Sequence, residues 1–361
     1  MVVAAAAALL VAPPAQAAPQ VRYLGFTTVP HKLRFQDTTV GGLSGIDRDP
    51  RTGEYVLISD DRGYTEAPRL YTATLDVTAQ GPKNVQVTSV HQLKRPNGQV
   101  YPSPAADPAN AIDPEEIRVD PLTGKYWWTQ EGDRTATALV QPSVQSSTRT
   151  GGYDRNFPLP KNYAIEADRG PRRNQALESL AFSAGGALVT TVVEGPLLQD
   201  GDQPTTAHGA RNRLTVQDRF GHVLTQHVYE LEKLFATPEP GPYGPDTGVP
   251  ALLADQYVPG RYYALERTWI PGPDYKVRLF QVDTLGATNL GTNPTDAIPA
   301  NARPVRKTLL ADLADFPLPT DNVEGLTWGP RLPTGERTLV LVSDDNFSPD
   351  WSTQFIALAL R

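Results

Sequence analysis

The strongest constraint on the fold is a strand–turn–strand unit that recurs along the chain with a polar residue at each end. In three copies the opening and closing residues are 16 positions apart: Ser44 and Asp60, Glu115 and Glu131, Glu178 and Glu194. In a fourth copy Glu324 and Asp344 are 20 apart, because its turn, GPRLPTGER, is longer. Equal spacings in otherwise unlike sequence indicate a repeat protein.

Each copy has the pattern of a β-hairpin. Two apolar runs flank a turn rich in Pro and Gly, and the first two copies share the turn Asp-Pro-x-Thr-Gly. In an antiparallel hairpin the start of one strand lies beside the end of the other, so the two end residues should project from the same edge of the sheet. A weaker copy at residues 248–268 retains only a closing acid, Glu266.

Hairpins repeated along 361 residues, with 35 Pro and 29 Gly, predict an all-β fold. We predict a β-propeller, in which the inner strand of each blade lines a central channel. At roughly 40–50 residues for each four-stranded blade, with long loops added, six blades fit the length best. The strand at residues 21–27 should pair with the final strand at residues 354–360, because ring closure removes exposed sheet edges.

The N-terminal residues resemble an export signal. Residues 2–12 form an apolar run of signal-core length that is too short to span a bilayer, and residues 15–17, AQA, offer a small-x-small cleavage pattern. The usual Lys or Arg ahead of the run is missing. We predict a signal peptide over residues 1–17 and a propeller domain over residues 18–361. The protein should be secreted, extracellular or periplasmic, monomeric, and without a membrane span.

The composition disfavours several functions. A formal net charge of −7 argues against a nucleic-acid-binding surface, which needs a basic stripe. The absence of Cys removes disulfides, thiol nucleophiles and Cys-ligated zinc. The five His residues lack the spacing of a HExxH or H-x-H pair, so a histidine-built transition-metal site is disfavoured.

The acids at the hairpin ends should converge on one mouth of the channel, because one face of a propeller collects the loops of every blade. At about 4 Å and an effective dielectric constant near 20, each carboxylate pair repels by about 4 kcal/mol. Oxygen ligands without Cys or paired His favour Ca²⁺ as the neutralising ion. The predicted metal ligands are Asp60, Glu115, Glu131, Glu178, Glu194, Glu266, Glu324 and Asp344. In the alternative interpretation these acids are scaffold, forming ion pairs and capping backbone N–H groups.

Polar residues beside these acids are candidate substrate contacts. Ser44 replaces a repeat-position Glu, but residues 42–46, GLSGI, do not complete a G-x-S-x-G elbow, and packing beside the following glycine is the favoured explanation for it. Asn346 is a candidate ligand or, equally, an Asx-type turn cap. The predicted substrate-binding residues are Ser44, Asp61, Arg134, Arg267 and Asn346.

Five segments together resemble the phytase-like family, which carries the label of esterase-like activity of phytase. They are GGLSGIDRDPRTGEYVLISDDR, DPEEIRVDPLTGKYWWTQEGD, RNQALESLAFSAGGALVTTVVEGPL, ALER with VRLFQVD, and DNVEGLTWGPRLPTGERTLVLVSDDNF. They run in family order from about residue 41 to the C-terminus. In two departures, Glu116 stands where the family usually has Gly, and Gln175 with Ala176 replaces Gly-Phe; neither removes an acid.

The resemblance implies an exported propeller that hydrolyses a small-molecule phosphoester or ester with the help of Ca²⁺. In our hypothesis water attacks a phosphate held at the mouth by the ion, while Arg62 or Arg173 grips the phosphate oxygens. The predicted catalytic residues are Glu178, Glu324, Asp344, Arg62 and Arg173. Two alternatives stay open: a calcium-dependent propeller lactonase or carboxylesterase, and a non-enzymatic propeller that binds a ligand.

Overall fold

A computed structural model describes residues 19–135, 138–292, 297–319 and 321–361. Within them, five four-stranded antiparallel sheets form the blades of a propeller. The predicted all-β propeller is therefore confirmed. The predicted signal peptide, residues 1–17, lies outside the described residues. In the described part of the chain, no helix is long and apolar enough to cross a membrane.

The strands are numbered along the chain. Ahead of the first blade come β1 (Val21–Thr28), β2 (Arg34–Phe35) and β3 (Thr38–Thr39). Blade 1 consists of β4 (Leu43–Arg48), β5 (Tyr55–Ser59), β6 (Arg69–Thr78) and β7 (Gly81–Gln92). Blade 2 consists of β8 (Pro114–Val119), β9 (Tyr126–Gln130), β12 (Ser143–Ser147) and β13 (Tyr153–Phe157), and a small hairpin within it is formed by β10 (Asp133–Arg134) and β11 (Leu139–Val140).

Three further blades complete the ring. Blade 3 consists of β14 (Ser179–Ser183), β15 (Leu188–Val192), β16 (Ala210–Asp218) and β17 (Val223–Leu231). Blade 4 consists of β18 (Asp246–Ala254), β19 (Arg261–Ile270), β20 (Asp274–Asp283) and β21 (Arg306–Asp312). Blade 5 consists of β22 (Val323–Trp328), β23 (Arg337–Ser343), β24 (Gln354–Leu360) and β1. Single 3₁₀ turns lie at Lys161–Tyr163, Ala184–Gly186, Leu198–Asp200 and Leu313–Asp315.

The prediction of six blades was wrong. The residues assigned to a sixth blade belong in the structure to loops and to long outer strands. The connections at residues 93–113, 158–178 and 284–305 contain no blade strand among their described residues. The outer strand β7 alone is 12 residues long. Strand β21, in a stretch without clear sequence patterning, is the outer strand of blade 4 rather than part of another sheet.

Ring closure occurs as the sequence predicts. Strand β1 pairs with β24 in an antiparallel register that runs from Val21 opposite Leu360 to Thr28 opposite Gln354. The N-terminal strand is thus the outer strand of a blade whose other three strands are C-terminal. This pairing joins the two ends of the described chain and covers an otherwise open edge of β24.

The blades are held together by apolar side chains on both faces of each sheet. On β9, Trp127 packs towards blade 3 against Leu180, while Trp128 packs towards blade 1 against Ile58. Successive residues of a strand point to opposite faces, so adjacent tryptophans can serve two different interfaces. Each fully buried large apolar side chain contributes about 1.5–3 kcal/mol. This packing sets the five inner strands, β4, β8, β14, β18 and β22, around the central channel.

Candidate functional site

One residue from each blade meets at the end of the channel where the inner strands begin, which we call the mouth. These residues surround one small cavity, and three of them are acids. They are Ser44, Glu115, Glu178, Pro250 and Glu324. The hairpins therefore bring their opening residues to a shared point, although these residues are far apart in the chain.

Local irregularities in the backbone direct these side chains towards the mouth. In four inner strands the pairing register with the next strand is interrupted at the mouth, at residues 44, 115–116, 249–250 and 324. In blade 3, Glu178 directly precedes β14. A β-bulge leaves its extra residue outside the ladder and turns its side chain away from the regular alternation, which is why bulges occur beside functional sites.

The closing residues of four hairpins join the same cluster. Asp60, Glu131, Glu194 and Asp344 lie within two residues of the ends of β5, β9, β15 and β23. Asp60 is repelled by Asp344, and Glu178 is repelled by Glu194 and Glu131. All of these side chains are buried or half-buried, so little water screens the repulsion.

Two arginines partly neutralise the mouth from opposite sides. Arg267 Nη2 lies 2.7 Å from Glu194 Oε1, and its Nη1 lies 3.4 Å from Glu324 Oε1. Arg62 Nη2 forms an ion pair with Asp113 and lies 3.9 Å from Glu131 Oε2. The Arg62 side chain is 22% exposed and that of Arg267 is 8% exposed, so Arg62 is the more accessible to a ligand at the mouth.

Burial and mutual repulsion raise the pKa of the mouth carboxyl groups. Burial is the larger cause for Asp60, Glu115, Glu178, Glu194 and Asp344, whose pKa values lie well above the ordinary range, and neighbouring acids add to the shift. Burial also raises the pKa of Glu324. It raises the pKa of Glu131 to about 8 and that of Asp113, against the opposing charge of Arg62, to about 6. Without a bound cation, some of these groups hold protons at neutral pH.

Two overlapping triads of carboxylates have the geometry to hold a cation. In each triad the three candidate ligand atoms lie within 4.8 Å of one another, and Glu131 belongs to both. One triad is Asp113, Glu115 and Glu131; the other is Glu131, Glu178 and Glu194. Glu178 Oε2 and Glu194 Oε2 are buried without a hydrogen-bond donor. Carboxylate oxygens that lack a donor fit a hard cation such as Ca²⁺, which takes six to eight oxygen ligands.

Sequence reasoning missed three polar residues of the mouth. Asp113 and Asn322 each stand two positions before an opening acid, so the repeat itself contained the signal. Asn322 Nδ2 donates to Glu324 Oε1 at 3.0 Å and to Asp344 Oδ2 at 3.3 Å. Asp246 accepts from Arg267 at 3.2 Å, but it precedes the weakest copy, where nothing in the spacing indicated it.

The structure does not place Glu266 at the mouth. Its carboxylate is 2.7 Å from Lys307 Nζ and 3.3 Å from Arg278 Nη2, and it accepts from the Tyr229 hydroxyl at 3.2 Å. Neighbouring residues of a strand face opposite sides, and the adjacent Arg267 is the one that faces the acids. Blade 4 therefore contributes a cation where the pattern predicted an anion.

Asp61 and Arg134 were predicted to contact substrate, but their polar groups form hydrogen bonds that stabilise loops. Asp61 Oδ1 accepts from the backbone N–H groups of residues 63–65, and Asp61 Oδ2 accepts from that of Glu66 and from Arg69. Arg134 donates to backbone carbonyls in the loop of residues 166–171. Both sets of contacts order the rim around the mouth.

The remaining predicted substrate contacts, Ser44, Asn346 and the Arg267 described above, lie at or near the mouth, as does Arg173, which was predicted to be catalytic. Arg173 is exposed and donates to Asp133 at 3.1 Å. The Ser44 hydroxyl donates to the backbone carbonyl of Glu115 at 2.8 Å, a contact between neighbouring inner strands. Asn346 is exposed with a positive φ of 45°, and its N–H donates to Asp344 Oδ1 at 2.8 Å, the geometry of an Asx turn.

A buried ion pair closes the channel beneath the mouth. Arg118 lies 2.6 Å from Glu116 Oε2 and donates to the carbonyls of Ile46, Leu180 and Leu252 at 2.6, 2.7 and 3.0 Å. These carbonyls belong to the inner strands of blades 1, 3 and 4, so the side chain crosses the channel axis from blade 2. A ligand must therefore enter and leave through the same mouth.

A larger cavity, of about 590 Å³, lies at the opposite end of the channel. Its lining includes Asp47, Arg118, Leu253 and Trp328, which lie towards the far ends of the inner strands. None of the mouth carboxylates lines it. Size alone would favour this cavity as a binding site, but the perturbed titratable groups and the candidate metal ligands are at the small mouth.

Comparison with solved structures gives matches over most of the chain at low sequence identity. An endo-arabinase from Bacteroides thetaiotaomicron VPI-5482 is 9% identical over 88% of this chain and 93% of its own, with a TM-score of 0.45. An N-acetylgalactosamine deacetylase from F. plautii is 11% identical over 96% of both chains, with a TM-score of 0.43. Similarity at this level gives no information about the reaction. No curated protein matches the chain.

The chain also matches the sequence profile of a protein family. The family's sequence profile covers residues 38–347, which include every hairpin of the acid repeat and all five residues around the mouth cavity. Its description is Phytase-like: Esterase-like activity of phytase. The chain is a member of the phytase-like family.

Proposed function

We propose that this protein is a secreted, monomeric hydrolase of phosphoric or carboxylic esters, assisted by Ca²⁺ at the mouth of its channel. The main support for this proposal is the triad of Glu131, Glu178 and Glu194, which lies beside the guanidinium of Arg267. Two buried carboxylate oxygens of this triad lack a hydrogen-bond donor. Family membership supports an ester bond as the target. Export rests on the predicted signal peptide at residues 1–17.

The carboxylates of the two triads, Asp113, Glu115, Glu131, Glu178 and Glu194, would hold the ion. When bound, Ca²⁺ would supply positive charge that polarises a phosphoryl or carbonyl oxygen. The half-exposed Arg62 would orient the anionic part of the substrate through charge-assisted hydrogen bonds. Each of these groups acts from a buried or half-buried position, where electrostatic interactions are stronger than in water.

The acids outside the triads are suited to proton transfer. Glu324 and Asp344 share Asn322 as a hydrogen-bond donor, and burial raises the pKa of both carboxyl groups. A carboxylate whose pKa is closer to neutrality is a better general base for water at neutral pH. We assign Asp344 as the base and Glu324 as the residue that positions it through Asn322.

The test is an ester screen with matched acid variants. Release of inorganic phosphate from phosphomonoesters, and of acid from carboxylic esters and lactones, is measured with Ca²⁺ and with chelator. Wild type should turn over one ester class only with Ca²⁺, and Glu178→Gln should lower kcat/KM by about 100-fold or more. Glu266→Gln, which removes a buried acid away from the mouth, should retain calcium dependence.

Each outcome separates the candidate functions. Turnover of lactones or carboxylic esters without release of phosphate would select the lactonase or carboxylesterase alternative. Calcium binding without turnover of any ester would overturn the enzyme proposal and leave a ligand-binding propeller. Equal loss of activity in Glu178→Gln and Glu266→Gln, with unchanged melting temperatures, would contradict the assignment of the site to the mouth.

A further inference from the structure

Two aromatic side chains meet across the gap between blades 4 and 5. Tyr275, at the start of β20, and Trp351, in the loop between β23 and β24, have ring centroids 5.7 Å apart and planes inclined at 74°. Both residues are half-buried, so part of each ring remains accessible. The contact is an edge-to-face pair within the usual range for aromatic rings.

The pair lies beside the mouth. Tyr275 is within the electrostatic reach of Arg267, Glu324 and Asp344, although burial is the larger cause of the raised pKa of its hydroxyl. On β19, Trp269 lies directly opposite Tyr275, two residues after Arg267, so Tyr275 belongs to the face of blade 4 that carries this arginine. A ligand that contacts the mouth acids could therefore extend onto these rings.

The loop that carries Trp351 is tied to the strand that bears the mouth acids. Ser352 donates from its N–H and its hydroxyl to Asp321 Oδ2, at 3.0 and 3.1 Å. Its carbonyl accepts from Ser343 Oγ at 2.6 Å. Asp321 directly precedes Asn322, which donates to the carboxylates of the mouth. Trp351 is thus held in place before any ligand binds, which lowers the cost of binding.

We propose that Trp351 and Tyr275 form a subsite for a planar aromatic ring in the substrate, adjacent to the ester bond at the mouth. The inference rests on the proposed hydrolase function and specifies its substrate class as aryl esters. A third ring can stack on or against an aromatic pair, and a contact of this kind changes affinity by up to about 10-fold. Tyr275 and Trp351 are specificity-determining residues in this proposal, since neither touches the reacting atoms.

Packing between blades is the competing explanation, and the chain offers a matched control. Tyr23 of β1 stacks on Phe316, with centroids 5.1 Å apart and planes inclined at 14°. This pair also joins blade 5 to the chain that follows β21 of blade 4, and both residues are half-buried. Phe316→Ala therefore removes an aromatic contact between the same two blades at another place.

The experiment compares Trp351→Ala, Trp351→Phe and Phe316→Ala on phenyl, cyclohexyl and ethyl esters of the acid that wild type hydrolyses. Trp351→Ala should raise KM for the phenyl ester by about 10-fold with little change in kcat. It should raise KM for the cyclohexyl ester less than for the phenyl ester, because only the apolar contact is lost, and should leave the ethyl ester within about twofold. Trp351→Phe should restore most of the loss for the phenyl ester. Phe316→Ala should change none of the KM values. An equal effect on all three esters, or the same effect from Phe316→Ala, would overturn the proposal.

A binding measurement keeps this test separate from the proposed function. Calorimetry with phenylphosphonate and with ethylphosphonate, in the presence of Ca²⁺, needs no turnover. Wild type should bind the phenyl compound about 10-fold more tightly, and Trp351→Ala should abolish the difference. If the screen finds no hydrolysis but this preference holds, only the hydrolase proposal fails. If both phosphonates bind equally to wild type, the aromatic subsite is wrong whatever the enzyme assays show.

Discussion

Arg267 Nη2 lies 2.7 Å from Glu194 Oε1 in a buried ion pair at the mouth of the channel. The two residues come from different blades, and Glu194 Oε2 has no hydrogen-bond donor. One arginine thus only partly compensates the charge of its acidic neighbours. The mouth remains short of positive charge, which is the physical reason for expecting a cation there.

Replacement of Arg267 by Met should destabilise the metal-free protein by about 3–5 kcal/mol at pH 8, because it leaves buried carboxylates without their partner. Calcium should recover part of this loss. Unfolding by denaturant, with and without Ca²⁺, measures both effects. Arg267→Lys retains the charge and should cost less. An unchanged free energy of unfolding in Arg267→Met would show that the acids are neutral in the native state.

The metal-free protein should lose stability as the pH rises from about 4 to 8. The pKa of Glu131 is raised to about 8 and that of Asp113 to about 6. Below about pH 4 these groups are protonated in both states. Between the unfolded and folded pKa values the native state binds more protons, so unfolding becomes easier with increasing pH. Melting temperatures of the chelator-treated protein across this range provide the measurement; a rise from pH 6 to 8 would contradict the raised pKa values.

The same pKa shifts predict that calcium binding releases protons. At pH 7 most Glu131 carboxyl groups are protonated when no cation is bound, and a carboxylate must be ionised to act as a ligand. Calcium affinity should therefore increase between pH 6 and 8. Titration calorimetry in two buffers of different ionisation enthalpy counts the protons released. Glu131→Gln should weaken binding and reduce the number of protons released, whereas Glu266→Gln should alter neither.

The Arg118 and Glu116 pair should behave as one unit. Arg118→Met removes three hydrogen bonds to inner-strand carbonyls and leaves Glu116 buried without its partner, at a cost of about 3–5 kcal/mol. The double variant with Glu116→Gln should cost less than the sum of the two single variants. Denaturant unfolding of all four proteins measures the coupling energy. Additive effects would show that the two side chains act independently.

Gly45→Ala should disturb the mouth through the backbone. A Cβ atom at Gly45 would lie 2.5 Å from the Glu115 carbonyl oxygen and 2.8 Å from Glu116 Cα, so the inner strands of blades 1 and 2 would have to separate. We expect a loss of about 1–3 kcal/mol in stability, together with weaker calcium binding. Gly244→Ala, where the added atom meets nothing within 4 Å, is the control and should leave calcium binding unchanged. Equal effects of the two substitutions would contradict the close packing of Gly45 against the backbone of Glu115 and Glu116.

The repeat made much of the site predictable, because the two end residues of an antiparallel hairpin lie at the same edge of the sheet. The opening acids Glu115, Glu178 and Glu324 reach one cavity for that reason. Asp113 and Asn322 could have been found by extending the repeat two residues towards the N-terminus. Glu266 could not have been excluded, because the irregular register at residues 249–250 decides which of two adjacent side chains faces the mouth.

By itself, the sequence determined the all-β class, the hairpins and the closure by β1 and β24, because alternation and turn chemistry act over a few residues and an unpaired edge strand needs a partner. Only the tertiary structure decided that there are five blades and that Arg118 closes the channel from blade 2. It also decided that Arg267 rather than Glu266 joins the acids. These features depend on how the blades pack and where each ladder is interrupted, which are contacts between residues that are distant in the chain.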